Sequence, residues 1–342
     1  MLLLWNAFHK NSDMANQKKR FRCPKCGSLS IILWGKRVDR QRYRCNDCGA
    51  SFVKRREDVS HRNRFVWFRK WVLGKQTIED IAQESGTSER QLRRWFGEYL
   101  EDAPGWVIQR HAGIRMLVDG TWLDKDTCLI VYRDNVSKST IFYRFAQNES
   151  EHEIIKDLEV FKRLRLRISS FTSDGSDDII RAIRYAYPHI TRQRCVVHVE
   201  RECLSWLTQH PKSAAGITLR RLVCRISDIK TNNDKLFWIK CLHEWHDEYE
   251  DFIKQKTLNR ETGELTYTHD NIRRTYVHLY RAIAHMFEYI ADPNVPNNTN
   301  GLESFFGHLK DNLRIHRGLS CEHRNNFMKW YLFFANEKKK KH

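Results

Sequence analysis

Two Cys-x-x-Cys pairs near the front of this 342-residue chain, Cys23-Pro24-Lys25-Cys26-Gly27 and Cys45-Asn46-Asp47-Cys48-Gly49, stand 18 residues apart. That spacing matches a four-thiolate zinc site. Each pair lies on a tight turn that aims two thiolates at one ion, and the Gly after each pair admits the positive φ that turns the chain around it. Between the pairs, Ile31-Ile32-Leu33-Trp34 and Gln41-Arg42-Tyr43-Arg44 read as two short strands around Lys36-Arg37. Residues 21–55 are therefore expected to form a zinc ribbon that needs Zn²⁺ to fold. The other reading, a pair of redox or disulfide motifs, fits less well, because the remaining six cysteines are scattered, a pattern of a reducing compartment.

The charge is as uneven as the cysteines. Of the formal +18, residues 1–100 hold +12, with 22 Lys/Arg against 10 Asp/Glu, and four more charges sit at Lys338 to Lys341. The centre is nearly neutral, which points to a polyanion handled by the ends and chemistry handled in the middle. No run approaches the roughly 18–20 apolar residues of a membrane span. Met1-Leu2-Leu3-Leu4-Trp5 lacks the basic and small-residue flanks of a secretory signal. Residues 1–20 read as a disordered leader, with Met14 a more natural start than Met1, and residues 337–342 as a basic tail.

Behind the ribbon, His61 to Leu73 carries Phe65, Phe68 and Val72 at helical spacing and stops at Gly74. Thr77 to Glu84 is a short amphipathic helix, Ser85-Gly86-Thr87 a turn, and Ser88 to Phe96 a second helix with Gln91 at the capping-box spacing from Ser88. Short helix, Gly-containing turn, capped helix: residues 60–100 follow the helix-turn-helix plan, with Arg90, Arg93 and Arg94 offered to a major groove. Such pairs also occur as plain packing units. The neighbouring ribbon, whose Lys36, Arg37 and Arg42 join Arg40 and Arg44 as phosphate contacts or as a solvated face, favours the DNA reading.

From residue 114 the periodicity changes. Ile114 to Val118 leads to Asp119-Gly120; Thr127 to Tyr132 and Thr140 to Phe145 read as strands; Glu151 to Leu164 is helical; Ile168 to Ser173 brings a strand to Asp174-Gly175; Asp177 to Tyr187 is helical. This order predicts a mixed α/β sheet with acids at strand ends. After Cys195-Val196-Val197-His198 the stretch 199–295 reads as an all-helical insertion, and a loop from Pro293 to Asn300 leads into a helix bearing Glu303. No Gly-rich phosphate loop followed by Lys-Ser/Thr is present.

From Phe21 to Ala335 these pieces resemble the Mutator-like DDE transposases of bacterial insertion sequences, in particular the group with an N-terminal zinc ribbon. The carriers are Val118-Asp119-Gly120, Ser173-Asp174-Gly175, Arg194-Cys195-Val196-Val197-His198 and Asn297-Asn298-Thr299-Asn300-Gly301-Leu302-Glu303. The resemblance implies a multidomain α/β protein of the bacterial cytoplasm and nucleoid: ribbon, helix-turn-helix, and an RNase H-like catalytic domain (112–198 and 296–336) interrupted by the insertion. It implies Asp119, Asp174 and Glu303 as catalytic carboxylates for Mg²⁺ or Mn²⁺. The implied partners are double-stranded DNA, as terminal inverted repeats and target, and further copies of the chain. Phosphodiester cutting and joining suits that assignment, since hard carboxylate oxygens hold the two divalent ions such chemistry uses.

Taken singly, Asp119 and Asp174 also read as turn acids and Glu303 as the reciprocal carboxylate of a capping box begun by Asn300. Asp124, Asp126, Asp177 and Asp178 are spare acids. His198 reads equally as a group that positions a phosphate or water and as a buried structural histidine. Cys241, His243 and His246 have metal-ligand spacing but read better as packing and surface, as do Trp206, Trp238 and Trp245 as core. A silent DNA-binding regulator and a site-indifferent RNase H-like nuclease are the rival functions.

Overall fold

The computed structural model describes residues 22–23, 25–37, 40–53, 57–258, 260 and 263–339; the expected leader and the end of the basic tail lie outside them. The chain divides into two compact units, Met1–Trp67 and Phe68–His342.

In the first unit an antiparallel sheet of order β1-β2-β3 is built from β1 (Ile31–Arg37), β2 (Arg40–Cys45) and β3 (Ser51–Val53). The third strand was not foreseen, because three residues are too few for a period to register; it pairs Arg42 with Val53 and stacks Phe52 on Tyr43. The next helix, α1 (Glu57–Leu73), starts one turn earlier than its apolar spacing indicates.

The second unit opens with α2 (Ile78–Ser85) and α3 (Glu89–Leu100), separated by Gly86 in the left-handed region at φ 64°. Capping differs from the sequence expectation. Ser88 Oγ accepts from the Gln91 N–H at 3.4 Å, but the Gln91 side-chain nitrogen finds no partner. The reciprocal box sits instead on Thr77 and Asp80, where the Thr77 N–H donates to the carboxylate at 2.7 Å. Ile81, Leu92, Phe96 and Leu100 are buried, and α3 packs on the last helix, α12 (Cys321–Lys339). There Trp330 Nε1 donates to the Tyr99 carbonyl at 2.9 Å and Asn326 to that of Leu100 at 2.8 Å. Phe68, Phe96, Trp330 and Phe334 form one aromatic cluster at this junction.

A five-stranded sheet follows, of order β6-β5-β4-β7-β8. β4 (Ile114–Trp122), β5 (Cys128–Asp134) and β6 (Thr140–Ala146) form an antiparallel meander; β7 (Ile168–Ser173) and β8 (Thr191–Arg194) are parallel to β4. Strand alternation splits β4 between two faces. Ile114, Met116 and Val118 share a core with Ile154, Leu158 and Phe161 of α4 (Glu151–Arg163) and Ile179 and Ile183 of α5 (Asp177–Ala186). Leu117, facing the other way, lies beneath Gly301 of α11 (Asn300–Ile315). At the sheet edge the Asn336 amide of α12 exchanges two hydrogen bonds of 2.8 Å with the Thr140 backbone.

Between β8 and α11 lie α6 (Val196–Trp206), α7 (Ala214–Val223), α8 (Asn232–Lys254), α9 (Asp270–Met286) and the short α10 (Glu288–Ala291). Their core includes Val199, Leu219, Trp238, Leu242, Trp245, Leu279 and Met286. Trp238 and Trp245 are core residues, as expected, each donating its indole N–H to a carbonyl, of Leu222 and Ala215. The insertion is not all-helical, however. An antiparallel hairpin, β9 (Lys256–Leu258) with β10 (Leu265–Tyr267), projects between α8 and α9. Thr257, Thr266 and Tyr267 are strand formers, and Gly263 takes the positive φ of 69° nearby. No helix among the described residues is long and apolar enough to cross a membrane.

Candidate active site

The register between β4 and β7 brings the first two acids together. Val118 pairs with Ser173 in a parallel ladder, so Asp119 and Asp174, each the next residue, emerge side by side although 54 residues separate them. The expectation of acids at strand ends holds for Asp174 alone: β4 continues to Trp122, and Asp119 lies within it, paired with Val131 of β5. Asp119 is 8% exposed. Asp174 accepts from the Ser176 N–H at 2.9 Å and precedes Gly175, whose φ of 97° and close approach to the Arg194 side chain leave no room for a Cβ.

Glu303 arrives from α11, on the face of the sheet that Asp119 shares. It is not part of a capping box: α11 starts behind Thr299 with no side-chain cap. Its carboxylate accepts instead from Arg201 Nη1 at 2.6 Å and lies 3.6 Å from His198 Nε2. The Cys195-x-x-His198 pair ties this helix start to the Asp174 strand. The Cys195 N–H donates to the Ser173 carbonyl at 2.7 Å and that of Val196 to Asn297 at 2.9 Å. The Thr299 N–H donates to Cys195 Sγ at 3.4 Å, and Thr299 Oγ1 lies 3.3 Å from His198 Nδ1.

A further acid, Glu149, was missed by the sequence reading, since it stands in a polar connection with no motif around it. The β6–α4 connection sets its carboxylate against the β4 backbone at Gly120. Its signal was Gly120 itself, the small residue that leaves the space.

The electrostatics follow from this crowding. Burial first, then the charges of Asp174 and Glu303, push the Asp119 carboxyl up to about 7, against the pull of His198 and the Gly120 N–H. Burial first, then Asp174, Asp119 and Asp178, push Glu149 up to about 8. His198 is raised to about 9, chiefly by its hydrogen bond to Cys195, then by the charges of Cys195, Asp119 and Asp174, with burial opposing. Burial works to raise the Cys195 thiol, but its contacts with His198 and Thr299 outweigh it and the thiol is lowered.

The donor set fits a hard divalent cation. Glu149 Oε1 and Glu303 Oε1 are buried without a hydrogen-bond partner, and carboxylates that suppress one another's charge are what Mg²⁺ or Mn²⁺ would relieve. The acids are nonetheless not closed around one point. Among the described residues the only group of three or more donors mutually within 4.8 Å is Cys23, Cys26, Cys45 and Cys48.

That cysteine cluster has the form of a structural zinc site. The Gly27 N–H donates to the Cys23 carbonyl at 2.8 Å and the Gly49 N–H to that of Cys45 at 3.0 Å. Gly27 and Gly49 take φ of 74° and 67°, and Sγ atoms approach to 3.6 Å across the knuckles. The backbone N–H of Cys48, then that of Asp47, hold the Cys45 thiol at about 7. Four thiolates so arranged are a donor set for one Zn²⁺.

Of the spare acids, Asp124 pairs with Arg324 and Asp178 with Arg181, and Asp177 opens α5. His246 stacks on Tyr276, with His243 against Tyr280. Trp206 is only half-buried, with the Arg274 guanidinium over its ring at 4.6 Å. Arg90, Arg93 and Arg94 are exposed along α3, Arg93 in an ion pair with Glu89. Lys36 is exposed and Arg42 donates to Ser51; the Arg37 side chain lies outside the described residues.

In comparison with known families, the model described as Transposase, Mutator family, matches residues 135–287. The matched stretch contains Asp174, Cys195 and His198, and stops short of Asp119 on one side and Glu303 on the other. No curated protein matches the chain.

Proposed function

We propose that this chain, whose residues 135–287 match the Mutator-family transposase model, is a Mutator-like transposase and a DDE enzyme that binds terminal inverted repeats and carries out DNA strand cleavage and transfer. The observation that carries the reading is the parallel Val118–Ser173 register, which sets Asp119 beside Asp174 on the face where Glu303 arrives. In this reading Asp119, Asp174 and Glu303 would hold Mg²⁺, which when bound supplies charge neutralisation at the phosphate and activation of the attacking oxygen. Water adds to the phosphorus and loses a proton, the P–O3′ bond breaks, and the 3′ oxygen takes up a proton; the freed 3′-OH then attacks a target phosphorus in the same way. His198, held cationic at neutral pH, places a positive charge beside Glu303 and orients an anionic phosphate. Arg201 holds Glu303 Oε2 and leaves Oε1 as the oxygen that would face the cation.

The rest of the chain follows the same logic. Residues 21–55 act as a zinc ribbon and 60–100 as a helix-turn-helix that reads DNA through Arg90, Arg93 and Arg94, with Lys36, Arg37 and Arg42 on phosphates. Residues 112–198 and 296–336 form the RNase H-like catalytic domain, and 199–295 its insertion. Joining two DNA ends calls for a dimer or larger assembly.

The test is a Mg²⁺-dependent nicking assay on DNA carrying the inverted repeats that flank the gene. Wild type nicks at the repeat ends, and Asp119→Ala, Asp174→Ala and Glu303→Ala do not, while all bind the repeats. Wild-type cutting by any one of the three refutes the assignment. Equal cutting of unrelated DNA favours a general nuclease, and repeat binding without cutting favours a silent regulator.

A further inference from the structure

We propose that Glu149 is a fourth carboxylate ligand of the divalent cation at Asp119 and Asp174, and that Gly120 is the opening in β4 that admits it; this rests on reading those two aspartates as cation ligands. Asp119 and Gly120 are adjacent in a strand and so point to opposite faces. Asp119 faces α11 and Glu303, whereas Gly120, like Val118, faces α4. A Cβ at position 120 would stand 2.6 Å from Glu149 Oε1, 2.8 Å from its Cδ and 3.2 Å from Cys128 Sγ. The carboxylate thus occupies the volume a side chain would need, flat against the backbone of the strand that bears Asp119.

Two further observations separate this from an ordinary helix-end acid. The N-terminus of α4 is already served by Ser150, whose Oγ accepts from the Glu153 N–H, and by Glu151 and Glu153 in the first turn. Glu149 lies one residue before that cap and contributes no cap bond. Its Oε1 is also buried without a hydrogen-bond partner, in a chain with 60 Lys and Arg. The charged neighbours that act on it are Asp174, Asp119 and Asp178. A buried carboxylate oxygen left without a donor is costly, and a cation shared with Asp119 and Asp174 is the partner this surrounding provides for.

The experiment uses the zinc-loaded full chain and Mn²⁺ alone, with free Mn²⁺ followed by electron paramagnetic resonance. Asp119→Asn should lose the tight site. Glu149→Gln, isosteric and neutral, should weaken Mn²⁺ binding by about tenfold or more. Gly120→Ala keeps every carboxylate and displaces chiefly the flexible end of Glu149, with a slight shift at Cys128 Sγ; it should weaken binding too, and added to Glu149→Gln it should cost little more. If Asp119→Asn loses Mn²⁺ while Glu149→Gln and Gly120→Ala bind as wild type, the inference is wrong and the aspartate reading survives. If Asp119→Asn and Asp174→Asn also bind as wild type, both are wrong. Gly120→Ala decides the matter even if Glu149→Gln fails to fold.

Discussion

Asp119→Asn should make the Mg²⁺-free protein more stable at alkaline pH and, on the proposed DDE reading, should abolish strand cutting. The Asp119 carboxyl sits near 7 in the folded chain, against 3.8 as its ordinary value. Between those two pH values the unfolded chain has lost this proton and the folded chain keeps it, so stability falls as pH rises. Roughly three pK units at about 1.4 kcal/mol each set an upper bound of about 4 kcal/mol, lost by pH 8. Glu149 shares the same protons, so the two acids titrate as a set, and a measured effect of roughly 2–4 kcal/mol is the expectation. Asparagine preserves the shape and carries no charge. The variant should therefore match wild type near pH 4 and exceed it at pH 8, by roughly 5 °C or more in melting temperature. Thermal melts in Mg²⁺-free buffer with zinc retained measure this. Millimolar Mg²⁺ should then raise the wild type toward the variant and leave the variant where it was. A variant that melts below wild type at pH 8 without Mg²⁺ would refute the argument that burial and mutual repulsion dominate at Asp119.

Three other outcomes are expected. Metal analysis of the purified chain should find one zinc ion bound, and Cys26→Ser or Cys45→Ser should lower zinc retention, since each removes one of four thiolates; full retention in both would rule out the cluster as the site. Asn336→Ala leaves the Thr140 N–H and C=O at the sheet edge without their partners. It should cost about 2–3 kcal/mol in urea unfolding, and a loss below ~0.5 kcal/mol would mean that water replaces the amide. Arg90→Ala and Arg94→Ala should each weaken binding to repeat DNA and lower the salt dependence by about one counterion; an unchanged salt slope would take α3 off the DNA.

Much of the second unit could be read in advance because its strands and helices carry strong periods: Ile168–Ser173 was read to the residue, and α4 and α5 to within one. What escaped was short or had no period of its own, such as β3, β8 and the β9–β10 hairpin, which interrupts an insertion expected to be helical throughout. The caps went the same way. The Ser88–Gln91 spacing was right for a box but only half of it forms, while Thr77 and Asp80 complete one, because a cap depends on rotamers that spacing does not report.

The sequence alone determined the candidate residues and their order: four cysteines on two knuckles, three acids and a Cys-x-x-His, with the basic residues gathered at the ends. Those follow from local chemistry, since a knuckle or a strand is specified by a few neighbouring residues. Only the tertiary structure decided which acids meet. The parallel pairing of Val118 with Ser173 places Asp119 beside Asp174, and Cys195 and Thr299 bring in Glu303 across more than a hundred intervening residues. The bare backbone at Gly120 lets Glu149 approach from the opposite face. Such proximity is set by register and packing between elements distant in the chain, and no window of the sequence contains both partners.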